Sequence, residues 1–294
     1  MLLSQVPVLS RSGHDRAAER RTDDEWLAAA WERGQALIIT PEYAAPIVEA
    51  AAGPALALRP AASDPSLASA ERYFLGLAGS EPVFAVRAPR DLAGDRWADL
   101  REIGSALDDR DAGLLTTAVA LAHWHDRHHR CPLDGTPTLP VNGGWVRRCP
   151  ADGSDHFPRT DPAVIMLIHD GADRCILGRQ ATWPEGRFSI LAGFVEPGES
   201  AEAAVAREVD EEVGLAVTGV TYAGSQPWPF PASLMLGYTA QAVGDLTPTL
   251  RDGELAEGRW FSRDEIRAGV VKLPPPVSIA HRIITDWLEA GPSA

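Results

Sequence analysis

The chain has 294 residues, 45% of them hydrophobic and 23% charged, which fits two modest globular domains, or two joined by a small insert, and excludes a disordered chain. A formal net charge of -14 excludes a grip on nucleic acid made mainly through phosphates, which needs clustered Lys and Arg, and suits an acidic enzyme that holds divalent cations. Three cysteines (Cys131, Cys149, Cys175) cannot form a disulfide framework and point to a reducing cytoplasm, and no stretch reads as a secretory signal or a membrane span.

Residues 1 to about 120 read as mixed α/β with a polar start. DDEWLAAAWERG (23–34) predicts a helix, ALIIT (36–40) and PVFAVRA (82–88) predict strands, and ADLREIGSAL (98–107) reads as helical. TTAVALAHWHDRHH (116–129) is a helix with Ala and Leu on one face, and it runs into a Gly/Pro-rich piece too short for a core of its own. Compact strands then begin at PAVIMLIHDG (162–171) and continue through CILGRQ (175–180), VTYAGSQPW (220–228), LMLGYTAQAV (234–243) and GRWFSRDEI (258–266). Helices are expected over the acidic stretch before 215 and over SIAHRIITDWLEA (278–290), so the second half reads as an α+β sandwich.

The acidic stretch, LAGFVEPGESAEAAVAREVDEEVGL (191–215), packs Glu208, Asp210, Glu211 and Glu212 into five residues. On a helical wheel Glu211 and Glu212 fall at about −60° and +40° from Glu208, on one face. Val205, Val209 and Val213 form an adjacent stripe at i, i+4, i+8 that can pack on a sheet. Gly214 stands where a helix stops with a left-handed residue, and Gly193 and Gly198 punctuate the preceding loop. Like charges this dense repel one another, so a counter-charge is required.

Gly193, Glu199, Arg207-Glu208-Val209, Glu211-Glu212 and Gly214-Leu215 carry every specified position of the Nudix signature, and the chain resembles the Nudix hydrolases. The resemblance implies a Nudix α/β/α sandwich preceded by a mixed α/β N-terminal domain. It also implies Mg²⁺ or Mn²⁺ held by Glu208 and Glu212, with Glu211 beside them and the carbonyl of Ala192 as a further ligand. Oxygen donors suit such hard cations. Glu211 or Glu212 would serve as base, with Glu212 preferred. Glu199 and Arg207 would form an internal ion pair that fixes the loop on the helix.

Downstream, SQPWPFPAS (225–233) sets Trp228 and Phe230 among three ring-stiffened prolines, faces suited to stacking on a base. Placed just after the signature, it resembles the hallmark of the NADH diphosphatase branch, whose members also remove NAD caps from RNA. The resemblance implies substrate contacts from Gln226, Pro227, Trp228, Pro229, Phe230, Pro231, Ala232 and Ser233. It adds Phe157, Phe194 and Ala280 to the nucleotide pocket. Glu254 would complete the metal site, with Glu257 as its competitor. Hydrolysis of NAD(H) to nicotinamide mononucleotide and AMP is the implied reaction, with NAD-capped RNA as a further substrate and a homodimer as the assembly. A diphosphatase for ADP-ribose or another nucleoside diphosphate conjugate, and a non-catalytic Nudix-fold regulator, are the rival readings. Arg147, Arg148 and Arg159 are candidates for a local basic patch toward RNA.

Relatives carry a four-cysteine zinc ribbon before the Nudix domain. Here the pairs read Cys131-Pro-Leu-Asp134 and Cys149-Pro-Ala-Asp152, each second cysteine replaced by Asp. Carboxylates weaken a site built for thiolates, so the expectation is a degenerate ribbon that persists without structural zinc, with Cys131 and Cys149 close together as reduced thiols. His125, His128 and His129, just upstream, are the alternative donors. The expected division is an N-terminal domain over 1–125, the ribbon-like segment over 126–158 and the Nudix domain over 159–294.

Overall fold

A computed structural model describes residues 3–63, 67, 69–88, 96–251 and 253–291. In chain order the elements are α1 (Asp24–Arg33), β1 (Gln35–Ile39), β2 (Ala44–Ala50), β3 (Gly53–Leu56), β4 (Arg59–Pro60), β5 (Arg72–Ala78), β6 (Glu81–Arg87), β7 (Arg96–Asp99), α2 (Leu100–Ile103) and α3 (Asp109–Arg127). Next come β8 (Leu139–Val141), β9 (Val146–Arg148), β10 (Asp155–His156), β11 (Asp161–His169), β12 (Arg174–Gln180) and β13 (Leu191–Phe194). The chain closes with α4 (Ala201–Val213), β14 (Ala216–Trp228), β15 (Ser233–Val243), β16 (Leu255–Ser262), α5 (Arg263–Arg267) and α6 (Ile279–Ala290).

These form two compact units. One holds Met1–Ser10, Asp161–Trp228 and Ser233–Ala294; the other holds Arg11–Thr160 and Pro229–Ala232. Residues 3–10, which a linear division assigns to the N-terminal domain, therefore pack with the Nudix region. Leu3 donates its N–H to Ala223, and the backbone and hydroxyl of Ser4 both donate to the buried carboxylate of Asp286 on α6.

In the first unit a mixed sheet runs β14-β15-β11-β12-β16, with β13 pairing β11 and the central β11–β15 pair parallel. β11 shows why two layers cover it. Val164, Met166 and Ile168 join the core under α4, whereas Ile165 and Leu167 join the core under α6 with Ile283, Ile284 and Trp287. Successive side chains of a strand point to opposite faces, so a continuous apolar run serves both layers. The result is an α/β/α sandwich.

The second unit contains a four-stranded sheet, β4-β1-β6-β5, and two three-stranded ones, β3-β2-β7 and β10-β9-β8. Residues 98–107, read as one helix, divide into the end of β7 and the single turn α2, because Asp99 caps that turn with its side chain on the Glu102 N–H. The helix expected over 116–129 begins earlier, at Asp109, where Asp108 caps it.

Arg147 is not a surface cation. It is 6% exposed on β9, donates to the hydroxyl and carbonyl of Thr138 at 2.8 and 2.7 Å, and lies 2.8 Å from His125 Nδ1. His125 Nε2 is 2.8 Å from the Gly144 carbonyl, and burial holds its imidazole down to about 4, so the neutral ring donates to Gly144 and accepts from Arg147. Tyr73 stacks on that ring at 4.1 Å. His125 and Arg147 thus leave the lists of candidate metal donors and RNA contacts. Arg148 is exposed but engaged by Asp155 through two hydrogen bonds of 2.7 and 2.9 Å.

Arg147→Ala leaves buried acceptors on Thr138 and His125 without a donor, at about 1 kcal/mol or more each. Denaturant unfolding should show a loss of about 3 kcal/mol. A loss under about 0.5 kcal/mol, the range of surface substitutions, would mean that the guanidinium is solvated.

Candidate active site

The acidic helix α4 is set by both ends and one stripe. Ser200 caps its start by accepting the Ala203 N–H, and Gly214 ends it at φ 68 with its N–H on the Asp210 carbonyl. Val205, Val209 and Val213 are fully buried against the sheet, each stabilising the packing by about 1.5 kcal/mol or more. That stripe fixes the rotation of the helix, and the glutamates follow. They do not share one environment, as the wheel suggested. Glu212 is 3% exposed, Glu208 is half-buried and Glu211 is exposed.

Arg207 gathers the loop and the helix. Its Nε and Nη2 reach the two carboxylate oxygens of Glu199 at 3.0 and 2.6 Å, a bidentate pair. Nη2 also donates to the Phe194 carbonyl, and Nη1 donates to Glu208 at 2.9 Å and Glu211 at 2.8 Å. Glu199 in turn accepts the Glu196 N–H, closing the loop. The Arg207 fork holds the Glu199 carboxyl down at about 2. Glu208 behaves oppositely: burial pushes its carboxyl above the ordinary range, the charges of Glu211 and Glu254 push the same way, and Arg207 opposes them.

Gly193 is required by approach, not by its backbone angle. A Cβ built there would lie 1.8 Å from the carboxyl carbon of Glu208. The Glu208 carboxylate thus rests on the backbone of β13 beside Ala192, whose register partner on β11 is Ile165. The electrostatic influence of Glu254 on Glu208 sets it near this cluster, just before β16. Glu257 is engaged elsewhere, its Oε1 accepting from Arg179 Nε at 2.7 Å and lying 2.6 Å from Arg179 Nη2. Nothing in the sequence pattern had flagged Arg179.

Two of the expected substrate contacts are buried. Gln226 is fully buried, its Oε1 accepting the Leu9 N–H and its Nε2 donating to the Val277 carbonyl, so its amide is spent on bracketing the chain. Ala280 is 1% exposed within the core under α6. Pro227 and Trp228 end β14 opposite Leu234 and Ser233. Pro229–Ala232 belong to the second unit, where Phe230 lies under the Arg101 guanidinium at 3.9 Å. Phe230 and Pro231 there line a cleft of about 220 Å³ with Tyr43, Arg101, His123 and Arg127. Phe194 in the first unit and Phe157 in the second are among the most exposed aromatics, 60% and 67%.

In the ribbon-like segment the ligand atoms of Cys131, Asp134, Cys149 and Asp152 all lie within 4.8 Å of one another, with both cysteines buried and both aspartates exposed.

Family models match three stretches: the NUDIX domain over 159–288, the NADH pyrophosphatase-like rudimentary NUDIX domain over 28–124, and the NADH pyrophosphatase zinc ribbon domain over 126–157. The NAD-capped RNA hydrolase NudC of Mycobacterium bovis (strain BCG / Pasteur 1173P2) is 45% identical over 303 residues, covering 97% of this chain and 96% of its own. The chain belongs to the Nudix hydrolases, in their NADH diphosphatase and NAD-capped RNA hydrolase branch. The enzyme is also 40% identical over 203 residues to the NAD-capped RNA hydrolase NUDT12 of Macaca fascicularis, covering 64% of this chain and 44% of that one. A crystal structure of a NUDIX hydrolase from Nitrosomonas europaea aligns over 54% of the enzyme and 90% of that chain, at 20% identity and a TM-score of 0.46. Nudix hydrolases depend on divalent cations, and the carboxylates of α4 offer the oxygen donors such ions take. Among the described residues no helix is long and apolar enough to cross a membrane.

Gly193→Ala tests the contact on which the cage rests. The clash falls on the far end of a flexible side chain, so the fold can accept the methyl by displacing the Glu208 carboxylate. The expected outcome is an activity loss of about a hundredfold, roughly 2.7 kcal/mol in barrier, with thermal stability little changed. Full activity would mean that Glu208 is not held against position 193.

Proposed function

We propose that the enzyme hydrolyses the diphosphate bond of NAD(H) to nicotinamide mononucleotide and AMP, and cuts the same bond in NAD-capped RNA. The observation that carries this reading is the pairing of an intact carboxylate cluster on α4 with near-full-length similarity to NAD-capped RNA hydrolases.

The residues present fit Mg²⁺ or Mn²⁺. Glu208 and Glu212 on α4, the Ala192 carbonyl and Glu254 would hold the cation, with Glu211 beside them. Bound there, a divalent cation neutralises the diphosphate and lowers the pKa of a coordinated water. The chain does the rest. Arg207 keeps Glu208 and Glu211 from swinging apart, and the Glu199 pair keeps Arg207 on the loop. Glu212, buried on the side of the helix next to the valine stripe, is the preferred base for the attacking water, which must approach phosphorus in line with the leaving oxygen. By the family resemblance, Phe157, Phe194, Pro227, Trp228, Pro229, Phe230, Pro231, Ala232 and Ser233 are proposed substrate contacts. Flat aromatic faces suit a purine or pyridine ring.

The family-model matches support an N-terminal domain that ends near 125, a ribbon over 126–158 and a Nudix domain from 159, with residues 3–10 packed in the Nudix unit. A homodimer and a cytoplasmic location complete the proposal, the second supported by three reduced, buried cysteines.

Product analysis with Mn²⁺ should give nicotinamide mononucleotide and AMP from NADH, and 5′-monophosphate RNA from NAD-capped RNA. Turnover of ADP-ribose alone would overturn the substrate assignment. Glu212→Gln and Glu254→Gln should each lower kcat about a hundredfold or more, whereas Glu257→Gln stays within tenfold. The reverse order for 254 and 257 would reassign the fourth carboxylate. Because the Glu208 carboxyl is raised, a proton competes with the cation there, and activity should fall on the acid side at a higher pH than an ordinary carboxylate would give. Activity undiminished down to the ordinary carboxylate range would remove Glu208 from the cation site.

A further inference from the structure

We propose that the cleft lined by Tyr43, Arg101, His123, Arg127, Phe230 and Pro231 is a nucleotide subsite that takes one nucleoside monophosphate unit of the RNA strand following an NAD cap. This rests on the reading that NAD-capped RNA is a substrate. That reading leaves the strand's own contact unassigned, since Arg147 is buried and Arg148 is engaged by Asp155. At a net charge of -14 the surface as a whole offers phosphates little attraction, so the contact has to be local.

Every wall of the cleft belongs to the second unit. Arg101 lies over the Phe230 ring at 3.9 Å, and Tyr43 stacks on the His123 ring at 3.6 Å. Tyr43 is held firmly. Its hydroxyl donates to Asp126 Oδ2 at 2.9 Å, Arg87 donates to the same oxygen at 2.7 Å, and its N–H donates to the Thr40 carbonyl. These bonds keep its backbone left-handed at φ 64, a strained angle for a residue with a side chain. Arg101 and Arg127 are exposed, and among the described residues neither is in an ion pair. His123 is 8% exposed and, among the described residues, hydrogen-bonds through neither ring nitrogen. Its Nδ1 is enclosed, which leaves Nε2 as the nitrogen open to a ligand. Burial first and the charge of Arg127 next hold the imidazole down to about 4, so the ring is neutral, with one donor and one acceptor. A histidine this buried ordinarily has a hydrogen-bond partner, and an occupant of the cleft would supply it.

The chemistry of the walls selects the occupant. Two carboxylates also line the cleft: Asp99, which accepts the Glu102 N–H to cap α2, and the exposed Glu42. They balance the two guanidiniums, which leaves too little net charge to hold a bare phosphate. A nucleotide uses all of these groups at once. A guanidinium fork suits its phosphate, a carboxylate its ribose hydroxyls, the flat faces of Arg101 and the rings its base, and His123 Nε2 a base edge. The cleft measures about 220 Å³, below the roughly 300 Å³ at which sites for a whole drug-sized ligand begin, so it suits one nucleotide rather than the NAD dinucleotide. Stacking combined with guanidinium contacts in an open groove is also how single-stranded RNA is held. Phe230 and Pro231 come from the segment whose resemblance marks substrate contact, which ties the cleft to the substrate rather than to an unrelated nucleotide.

Arg127→Ala tests the subsite in the full-length chain, because Arg127 belongs neither to the carboxylate cluster nor to the substrate hallmark, and its exposed side chain can be removed without unfolding. With Mn²⁺, kcat/KM on a short NAD-capped RNA should fall about tenfold, while kcat/KM on NADH stays within about twofold. Arg127→Lys, which keeps the charge, should recover most of that loss. Binding of 5′-monophosphate RNA, followed by fluorescence anisotropy across a salt series, should weaken in Arg127→Ala, with a slope of log K against log salt shallower by about 0.7. A purely structural role would leave that slope unchanged. Equal losses on NADH and capped RNA, no loss on capped RNA, or an unchanged slope would overturn the proposal. Uridine monophosphate that binds as tightly as the RNA, and depends on Arg127, would overturn the assignment to the strand in favour of a free nucleotide. Should the wild-type chain cleave neither NADH nor NAD-capped RNA, the diphosphatase reading is what fails, and the anisotropy comparison still decides the subsite.

Discussion

The structure of the active site depends on one close approach, the Glu208 carboxylate against the α-carbon of Gly193. Bringing a charged group onto backbone costs solvation, and the raised carboxyl of Glu208 records that cost. Two anchors offset it. The valine stripe holds α4 on the sheet, so the helix cannot rotate Glu208 back into water. Arg207 supplies a positive charge shared among Glu199, Glu208 and Glu211, and ties all three to the end of β13. A cluster that would otherwise repel itself is therefore kept convergent, which is the condition for holding a cation between helix and strand.

The parts of this arrangement that depend on local periodicity were legible in the sequence. Valines four apart announced the buried stripe of α4, and a glycine after the last turn announced its left-handed end. The apolar run of β11 announced a strand, and the structure covers both of its faces. What periodicity cannot show is which polar group turns inward. Gln226 reads as a polar residue beside aromatics, yet its amide closes the gap between Leu9 and Val277, residues separated from it by 217 and 51 positions. Arg147 reads as a surface cation, yet it fills a buried slot prepared by Thr138 and His125. Long-range pairing decides both cases, and no local pattern encodes it.

The N-terminal half was harder to read for a related reason. β2, β3 and β5 carry Pro46, Pro54 and Gly76 within their spans, residues that ordinarily weaken a strand, and neighbouring strands override that preference. The loop Pro229–Ala232 shows the same limit at the scale of units. Its proline and aromatic content marked it as functional, but not that it would join Arg101 and Tyr43. In the ribbon, residue identity argued against metal, whereas the fold brings the four donors together.

The central claim is that the α4 carboxylates and β13 hold a catalytic divalent cation, and Mn²⁺ anomalous scattering from crystals of the enzyme soaked with Mn²⁺ and AMP tests it most directly. The account predicts a peak bounded by Glu208, Glu212 and the Ala192 carbonyl, with Glu254 turned toward it. A peak elsewhere on the acidic surface, with Glu208 still held only by Arg207, would contradict it.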